Sequence, residues 1–142
     1  MLPTTRLQSA FFTTTLVVLF LALFLNLSAL AAAPVDPKTI AVVDAGLGPC
    51  TADFTVTDAA GQPIYAANLR VRITYGFLNF HKLDLQAGTN AEGQARFVGL
   101  PGSRKQGLFF LASEGEREGS AFDDPGKTCK TQFTIILRKK SL

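Results

Sequence analysis

At 142 residues the chain has room for one domain of ordinary size, and 14 Lys and Arg against 11 Asp and Glu leave a formal charge of only +3. That balance, mixed along the chain, excludes the basic stripe of a nucleic-acid-binding surface. Two cysteines alone do not make a structural zinc site.

Residues 1–6 carry one cation, Arg6; residues 11–30 form an apolar run, densest at 16–25; and Ala29-Leu30-Ala31 then offers small residues at the two positions a signal peptidase reads. This order predicts a helical signal segment over 1–31, removed after Ala31. Ala31-Ala32-Ala33 is a second site, but it would leave Pro34 directly after the cut. The alternative is an uncleaved anchor, since about 20 apolar residues span a bilayer. Asn26 and Ser28 near the end of the run, and the lack of a basic stop-transfer cluster, favour cleavage. No cysteine closes the leader, which argues against a bacterial lipoprotein. Loss of Arg6 with the leader leaves 13 basic residues against 11 acidic ones, a nearly neutral surface.

Residues 32–49 read as a linker punctuated by Pro34, Pro37, Pro49, Gly46 and Gly48, with a strand-like patch at 39–43. From Cys50 onward the apolar period is two. In 50–57, Cys50, Ala52, Phe54 and Val56 alternate with polar residues; in 68–75, Leu69, Val71, Ile73 and Tyr75 alternate with Asn68, Arg70, Arg72 and Thr74. A strand lines the two arginines on one wet face, whereas a helix would scatter them. Further strands are predicted at 82–87, 94–98, 108–113 and 130–138, the last with Phe133, Ile135 and Leu137 inward. A domain over 50–138 and a tail over 139–142 follow.

Two connections share the pattern T-[D/N]-A-x-G-Q, at 57–62 and 89–94. Asp58 or Asn90 opens a type I turn by bonding its own backbone, and Gly61 or Gly93 supplies the positive φ that follows, a hairpin-type signal. Asp124-Pro125-Gly126-Lys127 reads as a type II turn with Gly126 at its third position. Short strands separated by such turns predict an all-β chain, a single antiparallel β-sandwich of about seven strands.

The segments VTDAAGQPIYAANLRVRI, GTNAEGQARFVGLP and LFFLASEGERE carry a resemblance to the carboxypeptidase regulatory-like domain, a small sandwich related in topology to transthyretin and to Cna-B-type surface repeats. The shared pattern is a strand, D-x-x-G-x-P-I, an alternating strand, T-[D/N]-x-x-G-x-x-x-F, and L-P before the next strand. The resemblance covers residues 52–137 and implies an Ig-like or prealbumin-like fold and an accessory or binding module. It implies no activity and no cofactor.

Cys50 and Cys129 each open a strand on its inward parity, in a chain read as exported, so a disulfide is expected; two buried free thiols are the alternative. His81, the one histidine, shares parity with Leu83 and Leu85 and reads as a partly buried, satisfied imidazole rather than a general base. Hydroxyisourate hydrolases, which are transthyretin-like, use several histidines and a C-terminal Y-R-G-S, absent here. Glu114, Glu116, Glu118, Asp123 and Asp124 lack the EF-hand pattern and read as a solvated hairpin tip and a turn. Phe77, Phe80, Phe109, Phe110 and Phe122 exceed what one face hides, since Phe109 and Phe110 must point opposite ways. Tyr65, Phe77 and Phe80 are expected to form a patch.

These readings combine into a non-enzymatic module, secreted or else exposed in the periplasm or cell envelope, that binds an extracytoplasmic protein or glycan. It has no nucleic-acid partner and touches a membrane only through an uncleaved N-terminal segment. Arg70, Arg72, Phe77, Phe80 and His81 mark the expected partner-binding face. The other reading is a structural stalk or envelope component held by that uncleaved segment.

Overall fold

The structure is a computed structural model that describes residues 36–103 and 106–141. The leader, its cleavage site and the alternative anchor lie outside the described residues. The described residues belong to one compact unit, 35–142. They contain nine strands and no α-helix: β1 Ala41–Asp44, β2 Cys50–Thr57, β3 Asn68–Tyr75, β4 His81–Gly88, β5 Gln94–Leu100, β6 Leu108–Glu114, β7 Arg117–Asp123, β8 Lys130–Ile136 and β9 Arg138–Lys139, with a 3-10 turn, Phe77–Asn79.

The strands form two sheets, β1-β5-β2-β8 and β4-β3-β6-β7-β9. The five-stranded sheet is antiparallel throughout. The four-stranded sheet is mixed, with β1 parallel to β5 and β2 parallel to β8, which corrects the expected antiparallel arrangement. The reason is topological. After β2 the chain builds most of the other sheet before β8 returns beside β2, and a crossover of that kind delivers a parallel neighbour where a hairpin would not.

Nine strands replace the expected seven or so because β1 and β9 are short and because β7 hides its period behind Gly119, Ser120 and Ala121. β1 forms from the strand-like patch within the stretch read as linker. It is held through Ala45, whose amide donates to Val98 O (2.9 Å), and Leu47, whose amide donates to Gly99 O (2.7 Å).

Alternation puts Ala52, Phe54 and Val56 of β2, Ala95 and Phe97 of β5, Leu69, Val71 and Ile73 of β3, and Leu108, Phe110 and Ala112 of β6 in one buried core. Its centre is aromatic: Phe54 meets Phe110 from the opposite sheet at 4.5 Å between centroids, and Phe97 and Phe133 from its own sheet at 5.9 and 5.4 Å. Gly99, at φ 66°, sits where the β2–β5 register shifts, and this bulge turns Leu100 inward where strict alternation would point it out. At the other end of the fold, β8 runs into β9 and so passes from one sheet to the other across Leu137, a buried side chain whose amide donates to Thr57 O (2.8 Å).

Cys50 and Cys129 are joined by a disulfide with their Cα atoms 4.6 Å apart. The bridge ties the start of β2 to the residue before its parallel neighbour β8.

Candidate functional site

The two D/N-opened turns form as their residues dictate. The amides of Ala60 and Gln62 donate to Asp58 Oδ1 (2.9 Å each), and those of Glu92 and Gln94 donate to Asn90 Oδ1 (3.0 and 2.7 Å). Gly61 and Gly93 follow at φ 82° and 74°. Neither turn joins neighbours in one sheet, however: each leads from one sheet to the other, β2 to β3 and β4 to β5, so the hairpin reading is corrected to a corner. The turn at 124–127 also differs from expectation. Lys127 and Thr128 both donate to Asp124 O (2.9 and 3.0 Å), a helical turn, and Gly126 is not among the glycines with positive φ.

The outward face of the five-stranded sheet carries exposed side chains on β3, β4, β6 and β7. Across it run Gln86, Arg70, Leu111 and Ser120 in one row, and Asp84, Arg72, Phe109 and Phe122 in the next. Arg72 binds Asp84 in a forked pair, Nε to Oδ1 at 2.6 Å and Nη2 to Oδ2 at 3.2 Å. That hydrogen bond raises the guanidinium pKa above its ordinary value and lowers that of the Asp84 carboxyl. Arg70, one row away, makes no ion pair or side-chain hydrogen bond among the described residues. It borders a depression of about 550 Å³ walled by Phe109 and Leu111. Phe109 and Phe122 are register partners, 53% and 61% exposed, while Phe110 is fully buried. The ring of Phe122 lies against Gly107, where no side chain intervenes.

The outward face of the four-stranded sheet differs in charge. There Arg96 meets Asp53 at 2.5 Å and 3.0 Å, so its guanidinium is neutralised by a carboxylate, and this bond raises the Arg96 pKa.

The expected partner face is therefore divided. Arg70 and Arg72 stand on the sheet, whereas Phe77 and Phe80 sit on the β3–β4 turn beyond its last paired residues, Tyr75 and His81. Tyr65 lies in the β2–β3 connection at the opposite end of β3, so the expected Tyr65, Phe77 and Phe80 patch does not assemble. His81 is exposed rather than partly buried: its inward parity is right, but β4 starts past the edge of the core, and the ring stacks on Tyr75 at 5.3 Å. Gly76, at φ 81°, leaves the room that this imidazole occupies. Leu111 and the pairing of Phe109 with Phe122 were missed as site residues. Their signal was the excess of phenylalanines, and only the β6–β7 register shows that two of them are neighbours.

The acidic residues are dispersed. Glu114 accepts from Arg117 (3.0 and 2.7 Å), Asp124 lies 3.4 Å from Lys127 and Glu118 lies 3.8 Å from Lys140. Among the described residues no three His, Cys, Asp or Glu side chains group to hold a metal ion, and no helix is long and apolar enough to cross a membrane.

No protein-family model and no curated protein matches the chain. Among solved structures it is similar to 3-chlorocatechol 1,2-dioxygenase from Rhodococcus opacus 1CP, with a TM-score of 0.44 and 12% identity over 72% of this chain and 68% of that one. It is similar also to chlorocatechol 1,2-dioxygenase from Pseudomonas putida, with a TM-score of 0.42 and 12% identity over 76% and 68%. These neighbours correct the expectation that the chain is not an enzyme: both are enzymes, so that exclusion is withdrawn. Likeness at this level assigns no activity and no catalytic residue to the chain.

Proposed function

We propose that the chain is an exported β-sandwich module of the carboxypeptidase regulatory-like, prealbumin-like kind, which binds a protein or glycan partner through the outward face of its five-stranded sheet. The observation that carries this reading is the Arg70 guanidinium, without an ion pair or side-chain hydrogen bond among the described residues, beside an exposed apolar strip of Phe109, Leu111 and Phe122. A free cation next to exposed aromatic surface is the composition of an interaction hot spot, in which Arg and aromatic side chains predominate. The disulfide supports an oxidising compartment, since such bonds persist outside the cytoplasm.

Two measurements test the proposal. N-terminal sequencing of the protein from its native cells should start at Ala32; an intact Met1 would remove the cleaved module. A photo-crosslinking residue in place of Phe109 should trap a partner that the same residue in place of Val42, exposed on the outward face of the other sheet, does not. Equal trapping at both positions, or none at Phe109, would exclude this face.

A further inference from the structure

The turn between β3 and β4 carries three large apolar side chains in the open: Phe77 is 82% exposed, Leu78 70% and Phe80 74%. Exposed phenylalanines scattered singly need no explanation, but three within four residues on a strand-to-strand tip do. None of them lines the depressions beside Arg70 or Arg96. With all three side chains in the open, the tip suits entry into a soft medium better than capture of a ligand.

We infer that this tip inserts into the interfacial region of a lipid bilayer. Polarity changes along the hairpin as a bilayer requires. From Tyr75 to Phe80 no residue carries a formal charge. Behind the apolar tip come Tyr75 and His81, stacked on each other, amphipathic rings of the sort that settle at headgroup depth. Lys82 follows two residues behind Phe80, about 7 Å along the strand, where its ammonium meets lipid phosphate. The turn also meets some of its own hydrogen-bonding needs, with Asn79 N donating to Gly76 O (3.2 Å) and Phe80 N to Phe77 O (3.3 Å), which lowers the penalty of leaving water. Leu78 holds this position at φ 51°, a conformation easier for glycine, so the side chain is kept where the backbone alone would favour its absence.

The contact is independent of the Arg70 face. Ala91 N donates to Pro37 O (2.7 Å), so the described chain begins beside the β4–β5 turn, at the end of β4 remote from the tip.

The test uses the full, oxidised chain, whose two cysteines are bonded to each other. An environment-sensitive fluorophore is attached through Asn79→Cys, which retains all three apolar side chains and, because Asn79 also has a positive φ of 57°, is used with its thermal midpoint matched to that of the parent, or through Glu92→Cys at the opposite end. Vesicles of phosphatidylcholine with about 30% phosphatidylglycerol are then titrated. The Asn79 label should shift to the blue and brighten severalfold, with the Glu92 label unchanged. Leu78→Gly, which suits the positive φ and so preserves the turn, should weaken the Asn79-label titration about tenfold, and Lys82→Gln should lower the preference for anionic lipid about fivefold. An Asn79 label that keeps its aqueous emission at saturating lipid, or a Leu78→Gly variant that titrates like its parent, overturns the inference. Shielding of that label by a protein but not by vesicles overturns it equally.

Discussion

At the scale of single residues, the two turn glycines show how one motif acquires two different constraints. Gly61 and Gly93 both have positive φ, but a Cβ at Gly61 would meet open space, while one at Gly93 would strike Val56 O and approach Ile64 N at 3.3 Å. Gly61→Ala should therefore cost about 1 kcal/mol in left-handed strain, and Gly93→Ala about 3 kcal/mol, since backbone must also move. Denaturant midpoints measure the difference; equal losses would refute the packing argument. Asp123 poses the opposite problem, a carboxyl only 2% exposed. Its Oδ1 and the Thr131 Oγ1 have no hydrogen-bond partner among the described residues. Burial raises its pKa above the ordinary carboxylate value. The folded chain thus holds this proton more tightly than the unfolded one, so ionised Asp123 costs stability above its folded pKa. That cost disappears as pH falls below the ordinary carboxylate value of about 4. Asp123→Asn should stabilise the protein at pH 7, and the gain should shrink on acidification; a gain independent of pH would show that the charge is not the cause.

At the scale of elements, the run through β8 and β9 is the join between the sheets. Leu137, between the two strands, is buried and belongs to the core both sheets share. Leu137→Ala should cost about 3 kcal/mol through lost burial and the cavity left behind, whereas Ile136→Ala, at an exposed neighbour, should cost under about 1 kcal/mol. Thermal melts of the pair check the contrast, and similar losses would move the join elsewhere. Most strands were legible because alternation over 50–57 and 68–75 has one physical meaning, a sheet with a dry face and a wet one. β7 was not, because Gly119 and Ser120 carry no hydropathy contrast; it is a strand because β6 supplies seven consecutive partners. The arginines of the candidate face were legible by parity, but the freedom of Arg70 was not. It depends on Asp84 standing opposite Arg72 rather than opposite Arg70, a matter of register that turn lengths set.

At the scale of the whole molecule, the disulfide closes a chain segment of 79 residues. In the chain-entropy account, a closure of that length contributes about 4 kcal/mol by restricting the unfolded state. Cys50→Ser combined with Cys129→Ser should lower unfolding free energy by about that amount, and reduction of the parent protein should match it. A double variant as stable as the parent would show that the core and the β2–β8 pairing suffice without the bond. The sequence by itself determined the all-β class, the inward set of β2 and β3, the two D/N-opened turns and the plausibility of the Cys50 to Cys129 bridge. Each of these follows from period, from local backbone chemistry, or from two thiols on one parity in a chain whose leader reads as an export signal. Only the tertiary structure decided that the four-stranded sheet is mixed, that the turns are corners between sheets, that His81 and the phenylalanines at 77 and 80 lie beyond the core edge, and that Arg70, Phe109, Leu111 and Phe122 share one surface. Those outcomes depend on which strands pair and in what register, and pairing between distant segments is settled by competition for one shared core, which no short stretch of sequence encodes.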